Sequence, residues 1–172
     1  MNKNNKKYRS IIISIIVLVI IDQLLKILIL KVGNKTLIEG ILSLNITENK
    51  NGTYGINSNS TITYVLTNLV VIVIAYKFIT IQNQFVDKKT KIFLTLIIAG
   101  GISNSIDRIF RGYVVEFVNI IKLPIFNLAD IYILIGWVSM VAIFTVFTAQ
   151  EIKNRRIEKE NKSKKEWKIC KK

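Results

Sequence analysis

The sequence predicts an all-α membrane protein with four transmembrane helices and a small extracytoplasmic β-sheet in the first outer loop. Four apolar blocks support the helices, at roughly residues 10–30, 62–81, 92–109 and 128–147. At about 1.5 Å per residue, blocks of roughly 18 to 21 residues span an apolar core of about 30 Å. The sheet is predicted by an alternating apolar and polar stretch between the first two blocks.

The first block follows a basic start and could be a signal peptide. No small-residue cleavage site follows it before Asp22 and Lys26, so we expect this span to be retained. Four full-length spans in a chain of 172 residues also leave no soluble core that could bury them.

Basic residues predict the orientation, because short cytoplasmic loops collect Lys and Arg. The N-terminal tail and the connection after the second span hold four each, and the C-terminal tail holds ten, out of 25 in the chain. We therefore expect both termini to be cytoplasmic, with a basic tail at 1–9, a membrane domain at 10–150, outer loops at about 31–61 and 110–127, and a basic tail at 151–172. The four spans make such a protein a multi-pass membrane protein.

The first outer loop contains LIEGILSLNIT, whose alternation predicts short strands, followed by the polar stretch ENKNGTYGINSNS. Residue chemistry predicts turns at Asn49, Gly52 and Gly55.

Composition excludes several chemistries. The chain has no His and one Cys, Cys170, so imidazole-based catalysis, the usual zinc sites and an internal disulfide are ruled out. We expect no metal and no cofactor. The net charge of +14 lies mostly in tails that flank membrane spans, where membrane lipids explain it, and we expect no nucleic-acid partner.

Four acids lie inside or beside the apolar blocks: Asp22, Asp107, Glu116 and Asp130. A charge in hydrocarbon is costly, so a functional site is the first interpretation of such residues. Threaded through a membrane, all four fall near one face. Lys26, four residues after Asp22, lies on the same helical face and can pair with it, which also allows a purely structural ion pair.

Further polar residues surround these acids. Asn104 precedes Asp107 and Arg108 by three and four residues, so the three project to related faces of the third helix. Asn127 can cap the fourth helix, with Asp130 in its first turn. Each group also has a structural explanation, as a helix-end clamp or as helix-start electrostatics.

The motifs DQLLK, NKNGTYG, GGISNSIDR followed by GYVVEF, and FNLAD occur in this order, and the chain resembles the lipoprotein signal peptidases, the type II signal peptidases of bacteria. The resemblance implies an aspartic endopeptidase of the bacterial plasma membrane that removes signal peptides from lipid-modified prolipoproteins, cutting before the Cys that bears diacylglycerol. It implies Glu116 and Asp130 as the catalytic acids at the outer face. Positions that bind substrate or support the site are Asp22, Lys26, Asn49, Gly52, Asn104, Asp107, Arg108, Asn127 and Ala129.

The family has Asp where this chain has Glu116. An alternative is therefore a non-catalytic or weakly active relative that binds lipidated signal peptides. Two others are a small transporter that uses the buried acids for protons, and a Ser-Lys hydrolase built on Ser103 or Ser105 with Lys26. Nothing in the sequence requires an oligomer, and we expect a monomer.

Overall fold

The computed structural model describes residues 3–50, 66, 68–73, 76–77 and 87–170, with side chains from residue 8 to residue 161 within these ranges. The elements in chain order are α1 (Lys3–Val32), β1 (Lys35–Ile38), β2 (Leu42–Asn49), α2 (Lys88–Arg111), β3 (Val114–Ile120) and α3 (Leu128–Cys170). The chain forms two compact units, Met1–Trp137 and Val138–Lys172. The second unit continues α3, which is helical through Cys170.

Three helices are long and apolar enough to cross a membrane within the described part of the chain: Tyr8–Val32, Lys88–Arg111 and Leu128–Asn161. They correspond to the first, third and fourth predicted spans. In the second predicted span, residues 66, 68–73 and 76–77 are helical. The rest of that span lies outside the described residues, so its full length stays a prediction.

In the first unit many outward-facing side chains are large and apolar, unlike those of a water-soluble protein. On α1 the large apolar side chains point outward, with Ile13 53% and Leu24 60% exposed, whereas Asp22 and Lys26 are completely buried. Because lipid offers no hydrogen bonds, apolar side chains face it and polar groups must be satisfied inside. Helix α2 is the most enclosed of the three, because more than half of the residues in its most apolar stretch are buried.

Helices α1 and α2 lie side by side and run in the same direction. Ser10 and Lys88 line one cavity near the helix starts, and Lys26 contacts Asn104 toward the helix ends. Helix α3 starts at the end where α2 finishes, because Asn127 contacts Asn104. The starts of α1 and α2, where basic residues are dense in the sequence, therefore share one end of the unit.

A three-stranded antiparallel sheet, in the order β1-β2-β3, lies at the opposite end. The first two strands come from the first predicted outer loop, as expected. The third strand was not predicted, because residues 110–127 were interpreted as loop. Val114 and Val115 are both buried, so β3 is covered on two faces at its start and lacks the alternation that marks a half-exposed strand.

A glycine follows the end of each of the helices α1 and α2, where the chain turns toward a strand. Gly33 and Gly112 have φ of 77° and 79°, the left-handed region that glycine enters without a Cβ penalty. Their N–H groups donate to the carbonyls of Ile29 and Arg108, which closes the last turns of α1 and α2. Below the sheet, Ile29, Val115 and Phe117 form a small apolar core.

Candidate active site

The centre of the site is the ammonium group of Lys26. Its Nζ lies 2.7 Å from Asp22 Oδ2 and 2.8 Å from Asp107 Oδ2, and it donates to Asn104 Oδ1 at 3.1 Å. The side chains of the lysine and both aspartates are 0% exposed. Three acceptors match the three donors of an ammonium group, so this buried charge is paired and hydrogen-bonded.

Asp107 links this lysine to the strand that carries Glu116. Its Oδ1 accepts from the guanidinium of Arg111 and, at 3.0 Å, from Gln23 Nε2, whose own Oε1 accepts from Arg111. Its Oδ2 accepts from the backbone N–H of Val115 at 3.3 Å. The carboxylate therefore joins α1 and α2 to the start of β3.

Asp22 joins α1 to the start of α3. Its Oδ1 accepts from the backbone N–H of Ala129 at 2.9 Å, and its Oδ2 accepts from Ser103 Oγ at 2.6 Å. The N–H of Ala129 is one of the helix-start donors that have no partner within the helix, so Asp22 satisfies a group that would otherwise be orphaned. Together Asp22 and Asp107 balance the charges of Lys26 and Arg111.

Two asparagines connect this network to Asp130. Asn104 Nδ2 donates to Asp130 Oδ1 at 2.8 Å, while Asn104 Oδ1 accepts from Asn127 Nδ2 at 3.1 Å. Asn127 N–H donates to Asp130 Oδ2 at 3.0 Å, and Asp130 N–H donates back to Asn127 Oδ1 at 2.9 Å. This reciprocal pair is a capping box with Asp in the third position, and it confirms the predicted cap.

Glu116 is placed by the sheet. In the β2–β3 register it lies opposite Thr47, and Asn49 lies opposite Val114, so Asn49 and Glu116 are diagonal neighbours on one face. Asn49 Nδ2 donates to Glu116 Oε1 at 2.6 Å. The prediction of a turn at Asn49 is wrong, since this residue ends strand β2. Its polar character serves a side-chain contact rather than a chain reversal.

The peptide groups on either side of Val115 are both held. Its N–H donates to Asp107, and its C=O accepts from Asn127 Nδ2 at 3.2 Å. Val115 is completely buried and directly precedes Glu116. Asn127 thus contacts the strand that carries one acid and caps the helix that carries the other.

Glu116 is electrostatically unusual. Burial is the largest influence and raises the pKa of this half-buried carboxyl, and the negative charge of Asp130 raises it further. The hydrogen bond from Asn49 and the charges of Arg108 and Lys26 act in the opposite direction, but the pKa remains above its ordinary value. The two acids are therefore close enough for the charge of one to favour a proton on the other.

Most of the predicted site residues converge at this end of the unit. Gly52 lies outside the described residues. Arg108 acts on Glu116 through its charge, while the arginine on Asp107 is Arg111, which the sequence analysis missed. Also missed were Gln23, the backbone of Val115 and the role of Ser103. The available signals were the position of Gln23 beside Asp22 and the four-residue spacing between Asp107 and Arg111.

Close helix packing supports the arrangement. A Cβ on Gly100 would come within 2.5 Å of the Ala129 carbonyl oxygen, and a Cβ on Gly136 within 2.5 Å of Ile97. Helices α2 and α3 therefore approach each other through glycine.

Within the residues that the structure describes, no group of three or more acid, imidazole or thiol side chains could hold a metal ion.

Comparisons with known proteins identify the family of this chain. A family model described as Signal peptidase (SPase) II matches residues 14–147. A "Lipoprotein signal peptidase" of Caldanaerobacter subterraneus is 32% identical over 73% of this chain and 88% of its own length. One of Streptococcus pyogenes is 33% identical over 78% and 92%. The match to a Caldicellulosiruptor bescii protein of the same name, at 35% identity, spans 63% of that protein.

Two solved structures, each described as a bacterial membrane enzyme, share the fold. Their TM-scores are 0.74 and 0.70 at 24% identity, and the matches cover 81% and 78% of this chain and 89% and 92% of theirs. Family model, relatives and fold agree over most of the chain. The chain therefore belongs to the signal peptidase II family of membrane peptidases.

Proposed function

We propose that this protein removes signal peptides from diacylglyceryl-modified prolipoproteins by aspartic-type hydrolysis, just before the lipidated Cys. Glu116 and Asp130 are the catalytic acids in this proposal. The observation that carries it is their convergence: one lies on a strand and the other on a helix start, each is held by an asparagine, and the charge of Asp130 raises the pKa of Glu116.

The chemistry follows from two carboxyl groups that share one proton. The ionised group takes a proton from water as the water oxygen bonds to the scissile carbonyl carbon, and the protonated group donates a hydrogen bond to the carbonyl oxygen. The attack forms a tetrahedral intermediate. When it collapses, the C–N bond breaks and the carboxyl group that took the proton from water gives it to the leaving amine. The titration belongs to the pair, so neither residue alone is the acid or the base.

The supporting residues have distinct tasks in this proposal. Lys26, Asp22 and Asp107 fix α1, α2, β3 and α3 to one another, whereas Asn104 and Asn127 orient Asp130. Asn104 uses its amide on Asp130 and its oxygen on Lys26 and Asn127, which favours a positioning role over substrate binding. Positioning matters because a misplacement of about 1 Å can lower a rate on the order of 100-fold.

The proposed orientation puts both termini in the cytoplasm, four spans in the plasma membrane and the acids at its outer face. There the acyl chains of a prolipoprotein stay in lipid while its scissile peptide reaches the polar boundary, and surrounding lipids complete the environment. An extended peptide backbone suits the adjacent sheet. We propose that one chain suffices, because both acids and all their partners belong to one protomer.

The geometry opposes a Ser-Lys hydrolase built on Ser103 and Lys26. Ser103 Oγ donates to Asp22 at 2.6 Å, and Lys26 is held between two carboxylates. Each of its hydrogen bonds commits the amine to an acceptor other than a serine hydroxyl. The same pairs leave Ser103 as a partner of Asp22 rather than a nucleophile.

The test is gel-mobility processing of a diacylglyceryl-modified prolipoprotein by the purified chain. Asp130→Asn and Glu116→Gln should each lower the rate by at least about 1,000-fold, since each removes one partner of the acid pair. Glu48→Gln is the matched control, because Glu48 lies on the neighbouring strand with a side chain 51% exposed. Retained cleavage by Asp130→Asn would remove Asp130 from the mechanism.

Two further variants separate the enzyme from a relative that only binds lipidated signal peptides. Glu116→Ala should abolish cleavage, whereas Glu116→Asp should preserve or raise it. A binding protein would show no cleavage in the parent chain and would retain the lipidated signal peptide in all three forms. Binding of this kind would refute the catalytic assignment of Glu116 without affecting family membership.

A further inference from the structure

A second feature lies at the end of the first unit opposite the acids. Helices α1 and α2 leave a cavity of about 520 Å³ between residues 10–18 of α1 and residues 88–96 of α2. This volume is within the usual range of roughly 300 to 1,000 Å³ for ligand sites. At about 1.5 Å per residue, the twelve residues between Ser10 and Asp22 separate the cavity mouth from the acid network by roughly 18 Å.

The cavity is graded in polarity along the helix axes. Near the helix starts it is lined by the polar residues Ser10, Ser14, Lys88 and Lys91, with Ile11 and Ile13 beside them. Further along, its walls are apolar and include Val17, Ile92 and Leu96. Thr95, in the deeper part, donates its hydroxyl to the Lys91 carbonyl at 2.7 Å and so directs no free donor into the cavity. A mouth with polar groups above an apolar interior suits an amphiphile, which has a polar head and an apolar chain.

The charge at the mouth is positive. Lys88 and Lys91 are three residues apart and lie on one face of α2. The acid beside them, Asp87, caps the helix: its Oδ1 accepts from Thr90 N–H at 2.7 Å and from Thr90 Oγ1 at 2.5 Å. Its carboxylate is therefore committed to the helix start. Lys91 is only 4% exposed, so its aliphatic stem forms part of the wall.

We propose that this cavity binds an anionic phospholipid of the leaflet at which α1 and α2 begin. The phosphate group contacts Lys88 and the serine hydroxyls at the mouth, and one acyl chain lies along Val17, Ile92 and Leu96. In the proposed orientation this is the cytoplasmic leaflet, which carries the negative lipid charge that attracts basic segments next to membrane spans. The site is separate from catalysis and holds a structural lipid.

Thermal unfolding of the full chain in neutral detergent tests this proposal. Added dioleoylphosphatidylglycerol should raise the Tm with lipid concentration, while dioleoylphosphatidylcholine and inorganic phosphate at the same concentrations should not. Lys88→Gln should weaken the lipid effect roughly fivefold, which is the scale of one basic residue near an anionic membrane. Lys89→Gln is the matched control, because Lys89 has the same charge and is exposed but does not line the cavity.

Each outcome decides the question. A selective effect of phosphatidylglycerol that Lys88→Gln weakens and Lys89→Gln leaves intact supports the site. Equal losses in the two variants would show diffuse attraction, equal effects of the two lipids would show no headgroup recognition, and an effect of phosphate alone would show a free-anion site. Each of these three results overturns the proposal. Both variants should process prolipoprotein at the parent rate, which confirms their folding.

Discussion

At the scale of single residues, Glu116 combines two opposing influences. Its carboxyl group is half-buried beside Asp130, which favours the protonated form, yet it accepts a hydrogen bond of 2.6 Å from Asn49. Asn49 and Glu116 meet diagonally across two strands, so the sheet fixes the distance over which the side chain must reach. From this position the Glu116 side chain, which is one methylene longer than Asp, reaches Asn49.

The raised pKa of Glu116 predicts a pH-dependent penalty on stability. Because the pKa is raised above the ordinary value of 4.5, the native state binds more protons than the unfolded chain between 4.5 and the raised value. Stability is therefore lost as the pH rises through this window, and the penalty is complete above it. Glu116→Gln removes the penalty and still offers an oxygen to Asn49.

The measurement is the Tm of Glu116→Gln minus that of the parent, in detergent, from about pH 4 to pH 8. The difference should become more positive with rising pH and then level off. Glu48→Gln, which replaces an exposed acid on the neighbouring strand, controls for the loss of one carboxyl group. A difference for Glu116→Gln that does not change with pH would contradict the raised pKa.

Single residues also show what the sequence could and could not predict. Asp22, Lys26, Asp107 and Asp130 were predicted because charge is rare in apolar helices. Gln23 and Arg111 were missed, since uncharged amides and arginines at helix ends carry no such signal. The backbone of Val115 could not be predicted at all, because its two hydrogen bonds exist only once α2, β3 and α3 have met.

At the scale of elements, the packing of α2 against α3 sets the position of Asp130. The Ala129 carbonyl oxygen lies only 2.5 Å from the position that a Cβ of residue 100 would take, so the two helices are as close as glycine allows. The neighbouring Gly101 is different: a Cβ there would meet Asn68 and Ile72 at 3.7 and 3.8 Å, which is ordinary contact. Two adjacent glycines therefore differ in what they can tolerate.

Gly100→Ala should displace the start of α3 and with it Asp130. We expect processing to fall by about 100-fold or more, as for an active-site misplacement of roughly 1 Å, with lower thermal stability. Gly101→Ala, the same change one residue along, should keep nearly the parent activity. Equal activity of the two variants in the prolipoprotein assay would show that the close contact does not position Asp130.

The elements were predicted unevenly for a physical reason. The helices and the β1–β2 region were predicted from block length and alternation. In the described part of the chain, three helices are long and apolar enough to cross a membrane, and both strands are present. Strand β3 was missed because Val114 and Val115 are both buried, which removes the period of two. Which residues of β3 lie opposite which residues of β2 is known only from the structure.

At the scale of the whole molecule, the unequal distribution of basic residues agrees with the shared direction of α1 and α2. Their starts lie at one end, and the acids, the sheet and the start of α3 lie at the other. The proposed orientation puts the first end in the cytoplasm. Which end faces the cytoplasm could be predicted only from the loop charges, because it is decided when the chain inserts into the membrane and not by how the helices pack.

Cysteine labelling tests this orientation, because the chain has a single cysteine. In intact spheroplasts a membrane-impermeant maleimide should leave Cys170 unlabelled until the membrane is permeabilised. Lys50→Cys in a Cys170→Ser background should label without permeabilisation, since the side chain of Lys50 is 68% exposed beyond β2. The opposite pattern would invert the proposed topology.

The complete burial of Lys26 also has a practical consequence. Its amine is enclosed by Asp22, Asp107 and Asn104, so an acylating reagent that modifies surface lysines cannot reach it in the native protein. The peptide that contains residue 26 should therefore gain mass in spectrometry only after the helices separate. A single amine thus serves as an internal reporter of native assembly in detergent, independent of any substrate.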